Sequence, residues 1–237
     1  MSLNSSILIF SGPSLTAEEG AKILSGAIYL PPVIQGDIPD AIKTYSPRII
    51  GLVDGFFEFA PAVWHKDILY ALSKGIHVFG ASSMGALRAS ELDDFGMVGI
   101  GKIYENFASG ILEDDDEVAV FHGPKELGYP ALSEAMVNIR VTIDKAVKQN
   151  VISKTAGDSL IHHAKSLFYK DRSYANILSL ASQDIKKLKD WLPGNKIDQK
   201  KIDAVEMLRA ILSFKEQGPF VPGFQFNETI YWQRGQE

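Results

Sequence analysis

The first half of the chain alternates short apolar, β-rich runs with segments of helical periodicity, and no other feature constrains the fold as strongly. Repeated strand–helix units of this kind are typical of a parallel sheet with helices packed on its faces. We therefore expect an α/β, Rossmann-like fold with a mostly parallel sheet flanked by helices. The units pair residues 7–10 with 16–24, 27–30 with 38–45, 48–53 with 60–74, and 76–79 with 83–92. Thr16 and Glu19 predict a capping box at the first helix, and Pro61 suits the first turn of the third helix.

The second half has helical periodicity almost throughout. From residue 131 to about 217 the apolar spacing predicts helices, with breaks near Asn150, Arg172 and 193–194. The residues after Gly218 are rich in aromatics, glycine and proline and predict an irregular tail. We thus expect an α/β domain over 1–125, which would carry the active site, and an all-helical region with the tail over 126–237, serving as a partner surface or a lid.

Composition excludes several classes of function. The chain has no cysteine, so disulfides, cysteine-ligated metals and a catalytic thiol are ruled out, and we expect a cytoplasmic location. The net charge of −5 argues against nucleic acid as a partner. The apolar runs are far shorter than the roughly 20 residues needed to cross a bilayer, so no membrane segment is expected. No nucleotide-binding glycine motif follows a strand, and we expect neither cofactor nor metal.

Polar side chains follow three of the predicted strands at the point where each strand ends. Ser11 and Ser14 follow the first, Asp54 follows the third, and Ser82 and Ser83 follow the fourth. The carboxyl ends of parallel strands meet at one edge of a sheet, where open α/β folds bind their ligands. The helix after Asp54 adds His65 and Lys66 near this edge. Such a set of serines, a lysine, a histidine and an acid is what nucleophilic catalysis requires.

The turn at 80–85 resembles a nucleophile elbow. Ser83 lies where the nucleophile does in a Gly-x-Ser-x-Gly pattern, with Ala81 in place of the first glycine. It also lies at a helix N-terminus, whose unpaired N–H groups and dipole favour an anion or a developing oxyanion. The alternative is a strand-to-helix turn in which this serine is only an N-cap.

Six ordered blocks between residues 6 and 124 together resemble the TfuA-like family. That resemblance implies a protein that works beside a YcaO enzyme when a peptide-backbone oxygen is replaced by sulfur. It further implies hydrolysis of the C-terminal thiocarboxylate of a ThiS-like sulfur carrier by a serine–lysine pair. The blocks are SGPSL at 11–15, PPVIQGD at 31–37, VDGF at 53–56, VWHKDIL at 63–69, GASSMGALRA at 80–89 and DDDEVAV at 114–120.

Carried onto this chain, the resemblance assigns the serine most naturally to Ser83 and the lysine to Lys66, with Ser82 and Ser14 left open as nucleophiles. Two positions depart from the family pattern. Asp67 stands where glutamate is expected, and Lys102 stands where an aromatic residue or arginine is expected. Lys102 is therefore a second candidate amine.

The supporting residues each have a structural alternative. On a helical wheel Lys66 lies nearly opposite the apolar stripe, which favours a solvated lysine. His65 is more typical of a packed, hydrogen-bonded side chain than of a base. Asp54 either caps a turn or orients His65 or Lys66. Arg88 either binds the carrier or fixes the site through an acid, and its spacing from Glu91 predicts an intrahelical ion pair.

The acidic run at 113–117 has two interpretations. With His122 it could recruit a metal ion, but contiguous carboxylates are usually solvated, and we expect the latter.

Three classes of function remain compatible with the sequence. The first is the serine–lysine hydrolase that feeds a YcaO partner acting on a peptide or protein. The second is a non-catalytic adaptor that docks the YcaO enzyme or its substrate. The third is a small-molecule esterase or amidase, or a protein that uses the serine turn to bind a nucleotide. Self-association into a homo-oligomer is compatible with each of them.

Overall fold

A computed structural model of the chain describes residues 7–56, 58, 60–179, 185–215, 218–229 and 232. The chain divides into two compact units, one of residues 1–113 with 201–237 and one of residues 114–200. This division differs from the expected boundary at 125. Residues 201–237 belong with the first unit because their helix supplies core side chains to the sheet.

The first unit contains a five-stranded sheet in which every neighbouring pair is parallel, as the strand–helix alternation predicted. Its strand order is β2-β1-β3-β4-β5. Four strands match the predicted runs. The fifth lies in a glycine-rich segment that the sequence pattern did not identify. The strands are β1 (Ile7–Phe10), β2 (Ile28–Leu30), β3 (Ile49–Leu52), β4 (His77–Ala81) and β5 (Val98–Ile100).

Helices cover both faces of this sheet. Thr16 and Glu19 form the predicted capping box at the first helix. The third helix begins at His65, so the expectation that it starts near residue 60 with Pro61 in its first turn is wrong. The helices of this unit are α1 (Ala17–Ala21), α2 (Asp37–Tyr45), α3 (His65–Ser73), α4 (Met84–Leu92) and α5 (Lys102–Ala108), together with α10 (Gln199–Ser213), which begins at the unit boundary.

Alternating strand residues supply two cores, because successive side chains of a strand point to opposite faces. Leu8, Ile50 and Val78 pack with α2, α3 and α4. Ile9 and Phe79 pack on the other face with apolar residues of α10, namely Ala204, Met207, Leu208 and Ile211.

The second unit is helical, as expected for this part of the chain. Its helices pack around one apolar cluster that includes Met136, Ile143, Leu160 and Ile177. None of the helices in the described ranges is both long enough and apolar enough to span a membrane. The helices of this unit are α6 (Met136–Lys148), α7 (Lys154–Ser166), α8 (Tyr174–Ser179) and α9 (Ile185–Trp191).

Candidate functional site

The strand order reverses direction between β1 and β3, and in open α/β sheets such a point opens a ligand-binding crevice. Two of the predicted polar clusters meet there. Asp54, which follows β3, is 1% exposed and accepts hydrogen bonds from the backbone N–H of Gly12 at 2.9 Å and of Ser14 at 3.0 Å. The Ser14 hydroxyl donates to the other carboxylate oxygen at 2.6 Å. These bonds match the turn-capping alternative for Asp54.

Ser11 and Ser14 are both buried in the same loop. The backbone N–H of Ser11 donates to the carbonyl of Leu30 at 3.0 Å, which ties the loop after β1 to the end of β2. The loop is thus held from two sides by bonds to neighbouring strand ends.

In the turn after β4, one residue of the site has an unusual backbone conformation. Ser82 has a φ of 70°, and the N–H of Ser83 donates to the carbonyl of Ala81 at 2.8 Å, so Ser82 is the central residue of a γ-turn with positive φ. Such a conformation is strained for a residue with a side chain, and strain of this kind clusters at functional sites. The Ser82 hydroxyl is fully buried and has no hydrogen-bond partner in the described part of the chain.

Two glycines permit this turn. A Cβ at Gly85 would overlap the carbonyl oxygen of Leu52, and a Cβ at Gly80 would overlap the carbonyl oxygen of Gly85. The first turn of α4 therefore lies directly against the sheet. In a nucleophile elbow the first glycine comes two residues before the serine, and the serine has a positive φ. Ser82 meets both conditions, because Gly80 is two residues before it. The sequence pattern had placed the elbow serine one residue later, at Ser83.

Ser83 occupies the N-cap position of α4, but its side chain makes no capping hydrogen bond. Its carbonyl oxygen accepts from the N–H groups of Ala86 and Leu87. The simple N-cap alternative for Ser83 therefore lacks the bond that defines it.

His65 and Arg88 share one acidic partner, Glu91. Arg88 donates to Glu91 Oε2 at 2.6 Å, which confirms the predicted intrahelical ion pair. His65 Nε2 lies 2.8 Å from the same oxygen. Arg88 Nε also donates to the carbonyl of Val63 at 3.0 Å. These contacts tie the start of α3 to α4. The sequence spacing predicted that Glu91 pairs with Arg88, but it did not reveal that Glu91 also contacts His65.

Lys66 lies against the C-terminal tail. Its Nζ donates to the hydroxyl of Thr229 at 3.0 Å and lies 5.6 Å from the ring centre of Phe226 and 6.0 Å from that of Trp232. Among the described residues no hydrogen bond joins Lys66 to Ser82 or Ser83. Lys102, the second candidate amine, pairs with Glu105 on α5 at 2.9 Å.

Asp67, on α3, is a buried acid. In the sequence it was identified only as a departure from the family pattern. Asp67 is 1% exposed and accepts from the backbone N–H of Gly36 at 2.9 Å. Its Oδ1 has no hydrogen-bond partner among the described residues. Burial raises the pKa of Asp67, and the nearby charge of Asp37 raises it further. The packing of α3 against the loop at 34–37 buries this side chain.

The acidic run in the second unit is solvated only in part: Asp114 and Asp115 are exposed, whereas Asp116 is half-buried and Glu117 is buried. Three of its carboxylates come close enough together to offer ligands to a metal ion: Asp114, Asp116 and Glu117. Basic side chains occupy that position instead. Lys165 bridges all three acids, Arg172 pairs with Asp116, and Arg140 makes two bonds of 2.8 Å to Glu117. The expectation of a solvated face is therefore confirmed for Asp114 and Asp115 and wrong for Asp116 and Glu117.

Comparison with known proteins gives one family. The family model described as TfuA-like protein matches residues 54–173, half of the chain. The matched range begins at Asp54 and includes Lys66, Ser82 and Ser83, whereas Ser11 and Ser14 precede it. No curated protein matches the chain.

Proposed function

This chain belongs to the TfuA-like family, and from that premise we propose that it hydrolyses the C-terminal thiocarboxylate of a ThiS-like sulfur carrier and so supplies sulfide to a YcaO enzyme. Family membership supports a role in YcaO-associated thioamidation with a YcaO enzyme as partner. The hydrolysis, the carrier and the nucleophile are our proposal.

The conformation of Ser82 carries this proposal. Its positive φ and its position between β4 and α4 are features of a strained nucleophile elbow. Its hydroxyl has no hydrogen-bond partner among the residues that the structure describes. We therefore assign the attacking oxygen to Ser82 ahead of Ser83. Because the hydroxyl is fully buried, binding of the carrier must open the turn before attack.

The reaction proceeds by acyl transfer to serine and then to water. The Ser82 oxygen attacks the carbonyl carbon of the thiocarboxylate and loses its proton, and the carbon–sulfur bond breaks to release hydrogen sulfide. Water then attacks the resulting ester, which frees the carrier carboxylate and returns a proton to the serine. The positive end of the α4 dipole stabilises the charge that develops on the carbonyl oxygen.

A serine nucleophile needs a base, and we assign this role to Lys66. An ordinary lysine is protonated at neutral pH and cannot accept a proton. In this proposal the bound carrier displaces Lys66 from Thr229 and excludes water from the site, which are the conditions that a lysine base requires. The bonds of Arg88 and His65 to Glu91 support the assignment, because they tie the start of the Lys66 helix to the helix that follows the serine turn.

The decisive experiment follows sulfide release and carrier mass with purified protein and thiocarboxylated carrier. Wild type is compared with Ser82→Ala, Ser83→Ala and Ser90→Ala. Ser90 is the matched control, because its hydroxyl donates to the carbonyl of Leu87 on α4, away from the turn. We expect Ser82→Ala to abolish release, while Ser90→Ala matches wild type.

Other outcomes separate the alternatives. If only Ser83→Ala lost sulfide release, the nucleophile would be Ser83 instead of Ser82, and the proposed hydrolase activity would stand. If wild-type protein released no sulfide but bound the YcaO enzyme, the adaptor function would replace our proposal. Release that was equal in wild type and both serine variants would exclude a serine nucleophile from this turn.

A further inference from the structure

A cavity of about 370 Å³ lies in the first unit beside the ends of β1 and β2. Its walls are mainly apolar and include Phe10, Leu30, Ile34, Tyr45 and Phe56. Ligand pockets in proteins typically have volumes of about 300–1,000 Å³ and predominantly apolar walls. The cavity is thus large enough for one small organic group.

One wall of the cavity is a single face of α2. Asp37, Asp40, Ala41 and Thr44 line it, and their spacing of three and four residues places them on the same side of the helix. The two acids lie at its N-terminal end. The cavity therefore combines an apolar body with an acidic end.

The two acids at this end are only weakly compensated by basic groups. Asp40 lies 3.5 Å from Lys43, and both side chains are more than half exposed, so this pair contributes little. Asp37 accepts from the N–H of Ile34 at 2.9 Å. Burial raises the pKa of Asp37, and the charge of Asp40 raises it further. The buried carboxylate of Asp67 adds a third negative group near Asp37.

We propose that this cavity binds a cationic amphiphile, meaning an aromatic or aliphatic group that carries an ammonium ion. The apolar group fills the space among Phe10, Leu30 and Phe56. The ammonium lies beside Asp37 and Asp40 and relieves the repulsion between them. Anionic ligands are disfavoured by the same carboxylates. The site does not depend on the serine chemistry proposed above.

Three small probes with one aromatic body test this proposal in the full-length protein. They are 2-phenylethylamine, 2-phenylethanol and 3-phenylpropionate, which differ in charge at neutral pH. Affinity is measured by calorimetry, and binding is located by NMR shifts of the Ala41 and Thr44 amides. We expect the amine to bind most tightly and the carboxylate least tightly.

Variants distinguish the contribution of the acidic group to binding from that of the cavity itself. Asp40→Asn should reduce the preference for the amine over the alcohol by roughly fivefold, the value of one exposed ion pair. Thr44→Trp, at an exposed position on the rim, should block all three probes. Asp144→Asn on α6 is the matched acid control, and Ser82→Ala should bind the amine as wild type does.

Two results would overturn the proposal. The first is equal affinity for the three probes, or a preference for the amine that Asp40→Asn leaves unchanged. The second is a shift pattern that lies outside the α2 face. Thermal melts of each variant identify any that fail to fold, and Asp40→Asn alters only a side chain that is 76% exposed.

Discussion

The Ser14 hydroxyl donates a hydrogen bond of 2.6 Å to Asp54, across the point where the strand order reverses. The same carboxylate accepts two backbone N–H groups of the loop after β1. A side chain that follows β3 thus determines the conformation of the loop that follows β1. The loops at the crevice are thereby held in place before any ligand binds.

Replacing Asp54 by alanine should therefore destabilise the protein. The change leaves the buried N–H groups of Gly12 and Ser14 without an acceptor, which we expect to cost roughly 3 kcal/mol or more. Urea denaturation measures the effect. Asp144→Ala, which removes only an exposed partner of Lys148, should change stability by less than about 0.5 kcal/mol. Equal effects in the two variants would contradict the capping role of Asp54.

Glycine at position 82 should separate stability from activity. Glycine adopts positive φ without strain, so Ser82→Gly should be at least as stable as wild type while losing hydrolysis. Ser83 has a φ of −119°, and Ser83→Gly should lose roughly 0.5–1 kcal/mol. Thermal melts and the sulfide assay measure both quantities. If Ser82→Gly were clearly less stable than Ser83→Gly, the backbone of Ser82 would not be strained in the wild-type protein.

The pH profile of sulfide release tests Lys66 as the base. In wild type the rate should rise with pH, as it does for a reaction that needs an unprotonated base. In Lys66→Ala that rise should disappear, and the rate should fall by roughly 10²-fold or more. Lys102→Ala and the exposed Lys22→Ala serve as controls and should keep the wild-type profile. If Lys66→Ala kept the wild-type pH profile and Lys102→Ala lost the rise in rate with pH, the base would be Lys102.

Acid should weaken the second unit through its ion-pair network. Burial alone would raise the pKa of Asp116 and Glu117, but bonds from Lys165, Arg172 and Arg140 outweigh it and hold both values below the ordinary 3.8 and 4.5. Groups with a lowered pKa stabilise the fold above their ordinary pKa, and this contribution is lost as pH falls through the folded value.

We therefore expect the apparent Tm of wild type to fall as the pH drops below about 4.5. Glu117→Gln removes one of these carboxylates, so it should melt at a lower temperature at neutral pH and show a shallower acid dependence. Asp144→Asn provides a comparison with an exposed acid. A parallel acid dependence in wild type and Glu117→Gln would show that Glu117 does not contribute through its charge.

Several elements could be predicted from sequence because their cause is local. Thr16 and Glu19 form a capping box through bonds three residues apart. The first four strands are short apolar runs bounded by polar residues, glycine or proline. The segment Val98–Ile100 escaped prediction because three residues with a central glycine carry too little periodicity, and it becomes a strand only by pairing with β4.

Other features depend on contacts between distant segments. The positive φ of Ser82 occurs beside the close packing of Gly85 against Leu52, a contact that no spacing in the sequence reveals. Lys66 meets Thr229 across 163 positions of the chain. The basic partners of the acidic run lie on α6, α7 and the segment before α8, so the composition of the run alone suggested a solvated face.

The sequence by itself determined the parallel α/β class, the helical second half and the family, because strand and helix periodicities and ordered motifs are local properties of the chain. Tertiary structure alone decided that α10 returns to cover the sheet, that the strained backbone belongs to Ser82, and which partners hold Lys66, Asp54 and Glu117. Those outcomes depend on which distant surfaces can pack without overlap and on which buried polar groups can find a partner.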